Sequence, residues 1–231
     1  MEIDELPFTV KKDLPVGFLG EYAVVGDIHL GFEEDLNSKG YNVHSKTDEL
    51  VRNILNIDRR KLILLGDIRS KFTRIMPSEG GVLMNILSRL SDKFEEVTIT
   101  KGNHDGGLSV IADRLGNVRI VNEFILGNVG FMHGHALPTR AITSRVGTIC
   151  FGHLHPSVIM RDKNGVYYRK DCWSIFDVSL PKSKYKNSKV ESAVAFPKFN
   201  PYIGSTDETE GIGFMRYLKL RRRLSVDLVV V

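Results

Sequence analysis

Cysteine is scarce in this chain: its 231 residues hold two, Cys150 and Cys172, in neither a CxxC spacing nor a disulfide-dense pattern. That excludes a disulfide-stapled scaffold and a closed cysteine zinc site, and both residues read as buried thiols in a reducing compartment. Long hydrophobic runs are missing too. None approaches the ~20 residues that cross a bilayer, so no membrane span is expected. The stretch MEIDELPFTV is acidic and lacks a basic segment followed by an apolar one, so no secretory signal is expected and the protein reads as cytoplasmic. There is no internal repeat and no low-complexity linker. Strong charge of either sign is absent as well: a net charge of +4 and a pI near 9.0 permit an anionic substrate without requiring one. With 42% hydrophobic and 26% charged residues, the chain has an ordinary globular make-up and is long enough for one substantial core. A single domain over residues 1–231 is the economical reading. Its centre lies at about 20–160, and C-terminal strands and loops at about 161–231 are expected to cover it.

Short apolar runs alternate with helical patterns. YAVVGD (22–27) and KLILLGD (61–67) read as buried strands closed by Gly-Asp. Between them, Leu50, Val51, Ile54 and Leu55 have helical spacing behind Ser45, the expected N-cap. Val82, Leu83, Ile86, Leu87 and Leu90 give a second helix, and EEVTIT gives a third strand. Strand, helix, strand, helix, strand implies parallel pairing with right-handed crossovers, hence an α/β core. From about Asn117 the pattern turns to strands: NVRIV, FIL and VGFMHG around a Gly127-Asn128 hairpin, TICFGH, and a hairpin around Lys163–Gly165. FMRYLKLRRRLSVDLVVV reads as a last pair of strands, and KSKYKNSK (182–189) as a mobile polar loop.

The strand ends carry the chemistry. GDIHLG supplies Asp27 and His29, LLGDIR supplies Asp67, and GNHD supplies Asn103, His104 and Asp105. FMHGH adds His133 and His135, and FGHLHP adds His153 and His155. Of seven histidines, only His44 lies outside these motifs. Each motif alone reads as a turn or a coincidence; five in succession at strand ends mark the crevice where open α/β sheets bind ligands. In the Asp27-x-His29 and His153-x-His155 pairs, alternate residues of an extended backbone would point to one side and reach one ion. Imidazole mixed with oxygen favours Mn, Fe, Zn, Ni or Co over Ca or a purely Mg site. Two divalent ions bring +4, and Asp27 with Asp67 remove two, so a positive site suited to phosphate remains.

In order and spacing, GDIH, GD, GNHD, HGH and GHLH resemble the calcineurin-like metallophosphoesterase superfamily. The tail FPKFNPYIGST (196–206) is similar to that of its small prokaryotic phosphoesterases, a group that includes a ligase-associated nuclease branch. The resemblance implies a four-layer β-sandwich of two mixed sheets flanked by helices. It implies two divalent ions, Mn foremost, with Asp27, His29 and His155 on one, Asn103, His133 and His153 on the other, and Asp67 bridging. It implies in-line attack on phosphorus by a hydroxide that both metals activate, with His104 as general acid at the leaving oxygen. The expected activity is phosphodiester hydrolysis. A nuclease acting on DNA or RNA ends and a non-catalytic interaction scaffold are the alternatives.

One departure stands out. The superfamily places Asp or Asn three residues after the GD aspartate to orient the catalytic histidine, and here Ser70 occupies that position. Either Asp105 or another acid is expected to compensate, or His104 acts less strongly. Arg69 is read either as a phosphate contact or as an exposed loop arginine, and His135 as a support for the ligands or a substrate contact. Arg140, Arg145, the 182–189 segment and Arg221–Arg223 are read as solvated faces rather than a nucleic-acid track. Cys150, Trp173 and Phe176 are expected in the core.

Overall fold

A computed structural model describes residues 4–71, 73–207 and 213–227. The first sheet begins with the antiparallel strands β1 (Thr9–Lys11), β2 (Leu14–Leu19) and β3 (Tyr22–Val25). It continues in parallel through β4 (Lys61–Leu64), β5 (Glu96–Thr100) and β6 (Val118–Val121). Helices α1 (Phe32–Ser38), α2 (Thr47–Leu55), α3 (Pro77–Lys93) and α4 (Ser109–Ala112) lie between these parallel strands in the chain. The second sheet has the order β10-β11-β12-β9-β8-β7, with β13 on the far side of β11. Its strands are β7 (Glu123–Leu126), β8 (Val129–Met132), β9 (Thr148–Phe151), β10 (Ser157–Arg161), β11 (Tyr167–Val178), β12 (Ser192–Ala195) and β13 (Leu218–Ser225). A short helix α5 (Arg140–Thr143) joins β8 to β9.

Side-chain alternation shows how the layers stack, because successive strand residues face opposite sides. Ala23, Val25, Leu62 and Leu64 pack against Leu50, Ile54, Leu83 and Leu87 of α2 and α3. Their neighbours Val24 and Ile63 turn inward to meet Phe131, Cys150, Trp173, Ile175 and Val194 of the second sheet. On that sheet's outer face Ile149, Phe151, Phe176 and Ala193 pack on Ile142, Val146 and Phe214. Helices, sheet, sheet and helical cover thus form the expected four-layer sandwich. Burial on both faces explains why YAVV and KLIL read as unbroken apolar runs.

Several expectations are corrected. Residues past about 165 do not merely cover the core: β11 pairs with β10, β12 and β13, and its Trp173 is fully buried between the sheets. The β1–β2 hairpin, α1 and β12 were not legible. Ser45 is not the N-cap of α2; that position is Lys46, with no side-chain cap. Glu33 of α1 does the capping, its carboxylate accepting from the amides of Lys46 and Thr47 and from the Ser45 hydroxyl. The 182–189 segment is anchored, not loose. Its Tyr185 is buried and donates to the Pro138 carbonyl at 2.9 Å, and the Lys189 amide donates to the Thr143 carbonyl at 2.7 Å. Of the expected last pair of strands, Gly213–Tyr217 is a 3-10 helix and β13 is one strand; residues 228–231 lie outside the described residues.

Candidate metal centre

The C-terminal ends of β3, β4 and β5 from one sheet and of β8 and β9 from the other meet at one place. Glycine permits the approach. A Cβ on Gly66 would lie 2.7 Å from His133 Nδ1, and one on Gly152 would lie 2.7 Å from an Asp27 carboxylate oxygen. The backbone of the polar residues is unusual. Asp27 (φ 42°), His29 (45°), Asp67 (47°), His153 (65°) and His155 (47°) are all left-handed. The Asp-x-His and His-x-His pairs therefore do not lie on extended backbone; each chain kinks at both members of the pair. A non-glycine residue there costs on the order of 1–3 kcal/mol, and such strain persists where surrounding structure over-determines it. Here the cross-links are visible: the His153 amide donates to both Asp27 oxygens at 3.0 and 2.9 Å, and the His29 amide donates to the Asp67 carbonyl at 2.9 Å.

Three trios of potential ligand atoms, each within 4.8 Å of one another, result: Asp27, His29 and His155; Asp67, His133 and His153; and His29, Asp67 and His104. The half-buried His104 thus stands beside the same Asp67 that the other two groups share or adjoin. His133 Nδ1 lies 2.7 Å from the Leu65 carbonyl, which can only accept, so that nitrogen carries the proton. In the neutral ring Nε2 is then a bare lone pair. It faces Asn103 Oδ1 at 3.1 Å, Asp67 Oδ2 at 3.2 Å and His153 Nδ1 at 3.2 Å. The arrangement repeats at His155, whose Nδ1 lies 3.1 Å from the Gly204 carbonyl. Its Nε2 faces His29 Nε2 at 3.3 Å and Asp27 Oδ1 at 3.4 Å. Lone pairs converging on lone pairs call for a cation between them, and the nitrogen–oxygen set suits divalent transition metals.

Without a metal, protons take that place unevenly. Burial opposes charge on His133, yet the hydrogen bond and charge of Asp67 and the charge of Asp27 prevail and raise its pKa to about 9. Burial instead pulls His29 and His153 down to about 4. Asp67, though buried, is held well below the usual carboxylate range by His133 and His104.

The residues around His104 answer the question raised by Ser70. His104 Nδ1 lies 2.5 Å from the backbone carbonyl of Ser70, so the main chain orients the ring whatever side chain stands there. Asp105 is not the substitute: its two oxygens accept from the amides of Ile68 at 2.9 Å and Gly102 at 2.8 Å. Arg69 is neither exposed nor free. It is fully buried, with Nε and Nη2 on the two oxygens of Glu79 at 2.7 and 2.8 Å, and Nη1 on the carbonyls of Thr73 at 2.7 Å and His104 at 3.3 Å. His135 is exposed, its ring 5.3 Å from that of His133. Arg140 and Arg145 are exposed, whereas Arg221, Arg222 and Arg223 engage Asp177, Glu5 and the Asp207 carbonyl.

Sequence reasoning missed Asn200. Buried in the FNPYIGS tail, it donates to the Ile28 carbonyl at 2.9 Å and so pins the turn between Asp27 and His29. The Asn-Pro pair followed by Gly204 was the available signal of a turn.

Comparison with known proteins places this geometry. Among solved structures, the nuclease MPE of Pseudomonas putida is similar over 92% of each chain, with 18% identity and a TM-score of 0.54, a likeness of fold. A protein of unknown function from Aquifex aeolicus (15% identity, 58% of this chain and 78% of that one, TM-score 0.40) matches more weakly. So does a Vps29 mutant from Entamoeba histolytica (12% identity, 88% and 98%, TM-score 0.38). No curated protein matches the sequence. The family described as calcineurin-like phosphoesterase matches residues 21–230, so the chain belongs to that metal-dependent phosphoesterase family.

Proposed function

We propose that this protein hydrolyses phosphodiesters at a centre of two divalent cations. The observation that carries the reading is geometric: with Nδ1 of His133 and of His155 turned to backbone carbonyls, their Nε2 atoms face carboxylate and amide oxygens at 3.1–3.4 Å. Asp27, His29 and His155 would hold one ion, Asn103, His133 and His153 the other, with Asp67 between them. When bound, the ions supply Lewis-acid stabilisation of the phosphoryl oxygens and activate water as the nucleophile. Two carboxylates against two divalent ions leave the site positive, which draws in an anionic ester. His104, held through Nδ1 by the Ser70 carbonyl, acts as the imidazolium: its Nε2–H gives its proton to the departing oxygen and the ring is left neutral, a contribution of ~10²–10⁴-fold. The nitrogen–oxygen donor set suits Mn, Ni, Co, Fe or Zn alike, and the family resemblance puts Mn foremost. The continuous apolar layer between the sheets supports a single domain, and two free buried cysteines suit a reducing cytoplasm.

A nuclease acting on DNA or RNA ends is the second reading. The nuclease named above shares the fold, and two exposed arginines, Arg74 and Arg114, line a groove whose wall includes Gly106 and Gly107, just after His104 in the chain. The test is hydrolysis of bis-p-nitrophenyl phosphate beside p-nitrophenyl phosphate by chelator-stripped protein reloaded with each metal, with His104→Ala as control. Metal-dependent diester cleavage lost in the variant is expected. A preference for the monoester would overturn the diester assignment, and silence with two ions bound would favour the interaction scaffold.

A further inference from the structure

Beside the His104 turn, and outside the metal centre, runs a groove of about 760 Å³ between the 73–77 loop, the first turns of α3, and α4. We propose that it binds single-stranded nucleic acid on the leaving-group side of the scissile phosphate. An unpaired base would lie on its apolar floor, and a neighbouring phosphate against Arg74 and Arg114. The assignment rests on the phosphodiesterase reading for its place in the reaction, but not for binding.

Position comes first. The groove wall includes Gly106 and Gly107, directly after His104-Asp105, and Thr73, whose carbonyl shares the buried Arg69 guanidinium with the carbonyl of His104. The groove and the proton donor are therefore built on the same pair of loops. A group attached to the oxygen that His104 protonates leaves on the side of the centre that these two loops form, and the groove lies along the same loops.

The lining selects the ligand. Ile75, Met76, Met84 and Val110 give an apolar surface, of which Met76 is 60% and Val110 63% exposed. Exposed apolar surface gathered in one groove marks a binding site better than scattered residues do. Arg74 and Arg114 are exposed, and among the described residues neither guanidinium has an ion pair. They contrast with Arg60, Arg119, Arg169 and Arg221, each seated on a carboxylate. The acid nearest in sequence on α3, Glu79, is taken by Arg69 and does not oppose an anion. Apolar surface next to free arginines, beside a site for phosphoester chemistry, matches an unpaired nucleotide: its base has two apolar faces and its backbone is anionic. A duplex hides those faces. The groove also has room to spare, since a Cβ on Gly81 or Gly106 would meet nothing within 4 Å. Its volume falls within the ~300–1,000 Å³ of ordinary ligand sites.

The test is anisotropy of a short fluorescein-labelled oligothymidylate titrated with full-length protein in chelator, across a salt series. Arg74→Gln/Arg114→Gln should weaken binding at least ~10-fold at low salt and reduce the log–log salt slope by about 1.4, two single-strand phosphate contacts at about 0.7 each. Gly81→Leu, which fills the groove from a helical position with open space, should also weaken binding while melting no lower than wild type. Arg145→Gln, exposed elsewhere, serves as the control and should bind normally. With metal restored, the double variant should lose at least ~10-fold more kcat/KM on the oligonucleotide than on bis-p-nitrophenyl phosphate. Wild-type failure to bind the oligonucleotide, binding indifferent to both groove variants, or equal losses on both substrates would each overturn the groove. Should wild type cleave neither substrate with any metal, yet bind the oligonucleotide through these arginines, the groove stands and the phosphodiesterase reading falls.

Discussion

Replacing Arg69 by methionine removes a buried cation from the base of the His104 turn and leaves a side chain of similar length. The native guanidinium makes four hydrogen bonds: two to Glu79, one to the Thr73 carbonyl and one to the His104 carbonyl. The variant strands a carboxylate that is 18% exposed and two carbonyls. Removing one partner of a buried ion pair costs about 3–5 kcal/mol, because the other is left uncompensated. With a urea dependence of ~3 kcal/mol per molar for a chain of this size, the midpoint should fall by about 1–1.7 M. Glu79→Leu should be similarly harmful, since it leaves the guanidinium buried and unpaired. The double variant should lose less than the sum of the singles, by ~1.5–3 kcal/mol. The assay is equilibrium urea unfolding of metal-free protein, followed by tryptophan fluorescence of Trp173. Because the same group holds the His104 turn, kcat of the metal-loaded variants should fall more than KM rises. A loss below ~1 kcal/mol for Arg69→Met, or additivity of the two singles within ~0.5 kcal/mol, would refute the claim that this pair anchors the turn.

Ser70→Ala should keep kcat within ~3-fold of wild type, because His104 is oriented by the backbone carbonyl; a loss of the size general acid catalysis contributes would show that the hydroxyl matters. Gly66→Ala should cost more than ~3 kcal/mol in a denaturation assay, since Gly66 has φ 81° and its Cβ would lie 2.6 Å from the Thr100 carbonyl oxygen. Gly81→Ala, in helix α3 with open space, should instead stabilise by ~0.5–1 kcal/mol, so equal effects at the two glycines would contradict this reading. The metal-free protein should be most stable near pH 6.5. His29 and His153, lowered to about 4 by burial, contribute stability above their unfolded value that is lost as pH falls toward 4. His133, raised to about 9, contributes stability below 6.5 that is lost as pH rises through 9. Urea midpoints in chelator between pH 5 and 9 measure this, and a monotonic profile would argue against it.

Much of the architecture was legible because its signals are local. Apolar runs buried on both faces announced β3, β4, β5, β8 and β9, and helical spacing announced α2 and α3. The β1–β2 hairpin stayed hidden because LPVGFL is only half-buried along its length, and β12 because four residues, SAVA, carry little pattern. Ser45 was a sound local candidate for a cap, displaced by a carboxylate twelve residues earlier that only folding brings close.

The sequence by itself determined which chemistry the chain carries. Asp27, His29, Asp67, Asn103, His104, His133, His153 and His155 stand at strand ends, and their types and order limit what can bind there. Tertiary structure decided how those groups are aimed. The left-handed backbone at five of them, the burial of Arg69, the Ser70 carbonyl on His104 and the Asn200 pin on the Asp27 turn all join segments distant in the chain. No local pattern encodes such contacts, since the hydrogen bonds at the kinks, such as His153 to Asp27, His29 to Asp67 and Asn200 to Ile28, join residues that become neighbours only on folding.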